Sequence, residues 1–146
     1  MPDERDYDRE LNERGHRDGS LMQDFYATHA NPAEWIWSSS AKRAAQTADF
    51  VAQGFTATVT SAAELYLAGP EQLLDTLRAT PPGVQSVAVI AHNPGMTHLA
   101  NLLSTESITA NLPTFGSVLF ATEQDWPNLV MQHNHFVSLT TPKSIG

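Results

Sequence analysis

A short apolar run that passes through a serine turn into a helix is the feature that most constrains this chain. The run is Trp-Ile-Trp at residues 35–37, the turn is residues 38–40, and the helix that follows carries Arg43 in its first turn. The N–H groups and partial positive charge of a helix N-terminus attract anions, and a guanidinium fits an oxyanion as a planar fork. The segment therefore predicts an oxyanion site. An N-capped surface helix with a solvated arginine is an equally good explanation for this segment taken alone.

Composition limits the classes of partner. The chain has 146 residues, of which 41% are hydrophobic and 16% are charged, as expected of one globular domain spanning 1–146. The net charge of −8 argues against nucleic acid as a partner, so an anionic substrate requires local positive charge. Cysteine is absent, which excludes disulfides and thiolate chemistry. No apolar run reaches membrane-spanning length, and residues 1–6 are polar, so we expect a cytoplasmic protein without membrane contact.

The chain alternates between strand-like and helix-like segments. Residues 86–91 (Ser-Val-Ala-Val-Ile-Ala) form a continuous apolar run, which is typical of a parallel strand buried on both faces. The pattern predicts an α/β sheet with antiparallel strands near the C-terminus. Predicted helices cover 11–25, 41–53, 70–78 and a segment from 94; predicted strands cover 35–37, 56–60, 86–91, 117–122, 129–132 and 136–139, with a turn at 125–128.

His92 follows the apolar run directly and precedes Asn93, Pro94 and a predicted helix. In open α/β sheets, ligands bind beyond the carboxyl ends of the strands. A histidine that only satisfies a turn is the alternative, but the position at the tip of the strand favours a functional role.

These two segments occur with others in an order that resembles a known family. The chain is similar to the histidine phosphatase superfamily, in its SixA-like phosphohistidine phosphatase branch. The resemblance implies a three-layer phosphoglycerate mutase-like sandwich with a mostly parallel central sheet. It also implies phosphoryl transfer to histidine without metal or cofactor. The matching segments are residues 6–15 (Asp-Tyr-Asp-Arg-Glu-Leu-Asn-Glu-Arg-Gly), 38–47, 65–68, 72–74, 89–95, 112–114 and 141–143.

The resemblance also implies roles for four residues. Arg43 would clamp the phosphate, and Arg9 would be an auxiliary arginine near the rim of the pocket. His92 would be the second pocket histidine, hydrogen-bonded to the phosphoryl group. Glu64 would be the candidate general acid, although a carboxylate on an exposed turn explains it equally well.

One part of the family pattern is absent. The nucleophile of the family is a histidine in an Arg-His-Gly or Arg-His-Ala motif at the tip of the first strand, and these 146 residues contain no Arg-His pair. Arg14, Gly15 and His16 have the same letters in another order, on a predicted helix. We therefore expect an N-terminally incomplete domain whose first strand is missing, whose neighbouring strands have unpaired edges, and whose turnover is low. A start upstream of Met1 and a real loss both explain this.

Two functions remain in competition. One is a phosphatase-like protein that hydrolyses phosphohistidine or a small phosphoester. The alternative is a non-catalytic phosphate-binding regulatory module, a pseudophosphatase. The expected partner is a phosphorylated protein or a small phosphoester; substrate identity and oligomeric state stay open. A Rossmann-like nucleotide binder is discounted because no Gly-x-Gly-x-x-Gly follows a predicted strand. His133 and His135 alternate in a strand-like segment, and two histidines alone do not predict a metal site.

Overall fold

A computed structural model describes residues 7–28, 32–104 and 106–145. The predicted polar opening at 1–6 and the loop of residues 29–31 lie outside these ranges. Short 3₁₀ turns occupy Ala63–Leu65 and Trp126–Asn128. The helices are α1 (Glu13–Thr28), α2 (Lys42–Phe55), α3 (Pro70–Arg78), α4 (Gly95–Leu103) and α5 (Pro142–Ile145), and the strands are β1 (Trp35–Ser39), β2 (Val59–Ala62), β3 (Val87–Ile90), β4 (Ser117–Ala121) and β5 (His135–Thr140).

The strands form two sheets. A parallel three-stranded sheet has the order β2-β1-β3, and β4 pairs with β5 in an antiparallel two-stranded sheet. In the parallel sheet, Ile36 lies beside Val59 and Ala88, while Ser38 lies beside Ser61 and Ile90. The predicted α/β class, with parallel strands followed by antiparallel ones, is confirmed.

Helices cover both faces of the parallel sheet because successive side chains of a strand point to opposite sides. Ile36 packs with Met22 and Tyr26 of α1 and with Val51 of α2. On the other face, Trp37 packs against the leucines of α3 and α4. The result is the predicted three-layer arrangement of helices, sheet and helices. The leucines of that second face are Leu73, Leu74, Leu77, Leu99 and Leu103.

Three local predictions were wrong. Residues 129–132 form no strand, because Leu129 is buried in the α3–α4 cluster and Gln132 has a φ of 66°. Strand β2 begins at Val59 rather than at residue 56, since Thr56 adopts a left-handed conformation as the C-cap of α2. Strand β3 is parallel as predicted, but its residues are half-buried rather than buried.

The half-burial of β3 has a structural cause. Within the described residues, β3 pairs with β1 along one edge only, and β4 pairs only with β5. All residues of both strands line one groove of about 2570 Å³. Along these second edges, β3 and β4 lack the sheet partner that would pair their N–H and C=O groups. We call this feature the strand groove.

Candidate active site

The carboxyl ends of β1 and β3 bring Ser39 and His92 together. Ser38 and Ile90 are partners in the parallel pair, so the residues that follow them emerge at the same edge of the sheet. The Ser39 Oγ lies 2.9 Å from the Nε2 of His92 and accepts a hydrogen bond of 3.2 Å from the backbone N–H of Ala41. Ser39 is fully buried and His92 is half-buried. The tip of β3 thus carries a histidine whose ring is held by β1.

Two tyrosines pack beside this histidine. Tyr66 stands edge-on to His92, with ring centroids 5.2 Å apart and planes at 89°. Tyr7 packs edge-on against Tyr66 at 5.0 Å, and its hydroxyl is 2.6 Å from the Oγ of Ser40. Neither tyrosine was predicted from the sequence, although Tyr7 lies in the family-like segment 6–15 and Tyr66 in the segment 65–68.

The start of α2 lacks the N-cap that the alternative explanation of this segment assumed. Ala41 occupies the N-cap position and makes no side-chain capping hydrogen bond. The Ser38 hydroxyl donates to backbone carbonyl oxygens of Ser39 and Ala44. The N-cap residue of this 14-residue helix therefore supplies no side-chain acceptor to the N–H groups of the first turn.

Arg43 lies in that first turn, is half-buried, and lines the strand groove. His92 lines the same groove. The two residues that the sequence analysis placed at one anion site therefore border one cavity. A cation at a helix N-terminus adds to the partial positive charge there, which produces local positive potential in a chain of net charge −8.

Arg9 reaches the groove from a third segment. The backbone N–H of Leu11 donates to the Oε1 of Gln46 at 2.8 Å, and Glu10 forms an exposed ion pair of 3.3 Å with Lys42. These contacts hold the segment against the first half of α2. Arg9 is exposed and lines the same groove as Arg43 and His92.

Glu64 is placed differently. It lies exposed in the 3₁₀ turn after β2 and is not among the residues that line the groove. Its turn is nevertheless close to the site along the chain, because Tyr66 packs on His92. The assignment of Glu64 as general acid stays a prediction.

The segment after His92 is fixed by its asparagine. The Oδ1 of Asn93 accepts from the backbone N–H and the hydroxyl of Thr97, at 3.1 and 2.7 Å. Its Nδ2 donates to the carbonyl oxygen of Leu112 at 2.7 Å. Asn93 therefore ties the first turn of α4 to Leu112, the first residue of the family-like segment 112–114.

Residues 7–28, 32–104 and 106–145 contain no group of three or more His, Asp or Glu side chains that could hold a metal ion. Across the same ranges, no helix combines the length and the apolar character needed to cross a bilayer. His133 precedes β5 and only His135 belongs to it, so their predicted alternation on one strand is wrong.

Comparison with known proteins shows which class of protein this chain is similar to. The family model of the histidine phosphatase superfamily (branch 1) matches residues 4–66, which include Arg9, Arg43 and Glu64. A curated protein of Mycobacterium leprae that is described as uncharacterized is 25% identical, over 94% of this chain and 89% of its own length.

Solved structures match nearly the whole chain. The putative phosphohistidine phosphatase SixA from Agrobacterium tumefaciens is 26% identical with a TM-score of 0.78, over 97% of this chain and 89% of that one. The putative phosphohistidine phosphatase SixA from Nakamurella multipartitia gives a TM-score of 0.83 at 20% identity, over 97% of this chain and 90% of that one. The protein histidine phosphatase SixA complexed with tungstate gives a TM-score of 0.82 at 21% identity, over 100% of this chain and 92% of that one. The predicted resemblance to the histidine phosphatase superfamily is confirmed, and the fold is SixA-like.

Proposed function

We propose that this chain binds a phosphoryl group at the rim of the strand groove, as the phosphate-binding part of a SixA-like phosphohistidine phosphatase. The observation that carries the proposal is that Arg9, Arg43 and His92 line the same groove. These residues come from three separate segments and line one groove in a chain with a SixA-like fold. The substrate would be a phosphohistidine-bearing protein or a small phosphoester, in the cytoplasm.

The proposed binding chemistry follows from the donor types. Each guanidinium presents planar N–H donors that match phosphate oxygens, and its charge is permanent. The uncapped N-terminus of α2 adds backbone donors beside Arg43. His92 adds a ring N–H. Together these groups neutralise a dianion and fix its orientation, which is most of what a protein contributes to phosphoryl transfer.

Turnover by the family route needs one further group. A neutral imidazole nitrogen attacks phosphorus as the bond to the leaving atom breaks, a proton goes to that atom, and water then hydrolyses the phosphohistidine. Removal of such a nucleophile costs on the order of 10⁴ to 10⁶ in rate in other enzymes. The 146 residues hold no Arg-His pair, so we expect binding with very low turnover from this polypeptide alone.

The strand groove suggests how a nucleophile would be delivered. β3 and β4 both line it, each lacks a sheet partner along its second edge among the described residues, and His92 lies just beyond β3. A strand that paired with these edges would end beside His92. We therefore propose a fusion experiment in which an apolar strand ending in Arg-His-Gly precedes residue 1. The matched control has the same extension with glutamine in place of its histidine.

The fusion with histidine should hydrolyse a phosphohistidine-bearing protein or p-nitrophenyl phosphate, and the glutamine control should not. Trapping of a ³²P-labelled intermediate on the added histidine would identify the route. A folded histidine fusion that has no more activity than its glutamine control would contradict the proposed catalytic role.

The pseudophosphatase alternative shares the binding site and differs in turnover. It is favoured by the presence of Arg9, Arg43 and His92 in a sequence without an Arg-His pair. Calorimetric titration of the chain with inorganic phosphate or tungstate tests the shared part. Arg43→Ala should weaken binding at least tenfold, which corresponds to the loss of one charge-assisted hydrogen bond of about 1.5 kcal/mol or more. Arg17→Ala is the matched control, since Arg17 is exposed on α1 and does not line the groove.

A further inference from the structure

We propose that Ser39 is a positioning residue that holds the neutral His92 ring in the tautomer protonated at Nδ1. This inference rests on the proposed phosphate-binding role of His92 and adds to it the state of the ring. In this state Nε2 accepts a hydrogen bond from the Ser39 hydroxyl of β1, so the ring N–H donor of the neutral histidine is at Nδ1.

The donors and acceptors around the Ser39 hydroxyl fix the direction of its hydrogen bond to His92. A hydroxyl has one proton and two lone pairs. The backbone N–H of Ala41 already donates to one lone pair at 3.2 Å, and the other neighbour within hydrogen-bonding distance is Nε2 of His92 at 2.9 Å. If Nε2 donated, the hydroxyl proton would have no acceptor among the described residues.

Burial decides between these two arrangements. Ser39 and Ala41 are both fully buried, so water does not supply the missing acceptor at this point. A buried donor left without an acceptor is costly, and buried hydroxyls are therefore almost always satisfied. The arrangement that satisfies every group has Ser39 donating to Nε2 and accepting from Ala41. The neutral ring then carries its proton on Nδ1.

Two tyrosines hold the plane of the His92 ring. Tyr66 meets His92 edge to face, with planes at 89°, and Tyr7 supports Tyr66 in the same manner. The Tyr7 hydroxyl returns to Ser40, the residue after Ser39. Contacts therefore close a circle through Ser39, His92, Tyr66, Tyr7 and Ser40. A ring that is hydrogen-bonded to Ser39 and packed against Tyr66 has little freedom to rotate.

The test is the tautomer itself, measured in the intact chain. Long-range ¹H–¹⁵N correlation spectra of protein labelled with ¹⁵N-histidine distinguish protonated from unprotonated ring nitrogens. His92→Gln identifies the His92 signals among those of the six histidines. At a pH where the ring is neutral, we expect Nδ1 to give the N–H signature and Nε2 the unprotonated one.

Three variants separate positioning from a general effect on packing. Ser39→Ala should shift the His92 population toward the Nε2–H tautomer and weaken phosphate binding roughly fivefold, the effect of one ordinary hydrogen bond. Ser39→Thr retains the hydroxyl and should restore both readouts. Ser38→Ala is the matched control: its serine is equally buried, but its hydroxyl bonds only backbone carbonyls, so the His92 signature should not move.

Two results would overturn the inference. One is a wild-type His92 protonated at Nε2, which needs no variant and stands even if Ser39→Ala fails to fold. The other is an unchanged His92 signature in a folded Ser39→Ala protein. A different result would contradict the proposed function: an Arg43→Ala variant whose phosphate affinity is unchanged, whatever the tautomer of His92.

Discussion

Gly95 and Ala68 are in direct backbone contact where α4 begins. A Cβ atom built on Gly95 would lie 2.1 Å from the carbonyl oxygen of Ala68, far inside van der Waals contact. Gly95 is the third residue after His92 and is buried. The close approach therefore sets the distance between the 65–68 turn, which carries Tyr66, and the start of α4.

Gly95→Ala should destabilise the protein by at least about 2 kcal/mol, because backbone rather than a flexible side chain must move. Urea denaturation measures this change. Gly69→Ala is the matched control, since a Cβ on Gly69 meets nothing within 4 Å and its φ is −80°. The control should cost less than about 1 kcal/mol, the effect of losing a glycine at an N-cap. Equal stability of the two variants would show that the approach is not as close as described.

Tyr26 should make stability fall in alkaline solution. Burial raises the pKa of its phenol above the ordinary value, against a smaller lowering by the hydrogen bond with Ser117. The Tyr26 phenol therefore ionises less readily in the folded state than in the unfolded state. The stabilisation is present below the unfolded pKa of about 10 and is lost as the pH rises through and above it.

Tyr26→Phe removes that titration. The free energy of unfolding of the wild type should exceed that of the variant by about 1 kcal/mol at neutral pH, where the bond between α1 and β4 is intact. Measured at about pH 8 and about pH 11, this difference should shrink at the higher pH. A difference that is constant or grows with pH would be incompatible with a raised pKa.

The hydrogen bond from the Trp37 indole to Thr80 should contribute to the free energy of unfolding. Its Nε1 donates to the hydroxyl of Thr80 at 3.0 Å, and Thr80 is buried. Thr80→Val keeps the shape but removes the acceptor, and should cost about 1–3 kcal/mol in urea denaturation. Thr76→Val is the control, because the Thr76 hydroxyl donates to its own helix at an exposed position. A Thr80→Val protein no less stable than the control would argue against this bond.

Glu64 should act on the leaving group if it is the general acid. In the histidine fusion, Glu64→Gln should lower kcat by about 10²-fold for a phosphoester with a poor leaving group. The same change should matter little for p-nitrophenyl phosphate, whose leaving group departs without a proton. Glu71→Gln, at the start of α3, controls for the loss of a negative charge. Equal effects on both substrates would remove Glu64 from this role.

Local patterns predicted much of the fold. The helix opened by Pro70 ends at Arg78 as predicted, because proline at the first turn and the Pro-Pro-Gly break are signals that act within a few residues. The parallel pairing of β3 followed from a continuous apolar run. The strand predicted at 129–132 failed because β propensity gives way to burial, and Leu129 is buried among the leucines of α3 and α4.

The candidate site was also predicted only in part from the sequence. The sequence by itself singled out Arg9, Arg43 and His92, since a strand tip, a helix start and a family-like order of segments can be recognised along one dimension. Only the tertiary structure decided that Ser39 faces His92, that Tyr7 and Tyr66 pack around it, and that β3 and β4 face a common groove. These contacts join residues distant in the chain, and their geometry depends on how the sheet and helices pack, which no local preference specifies.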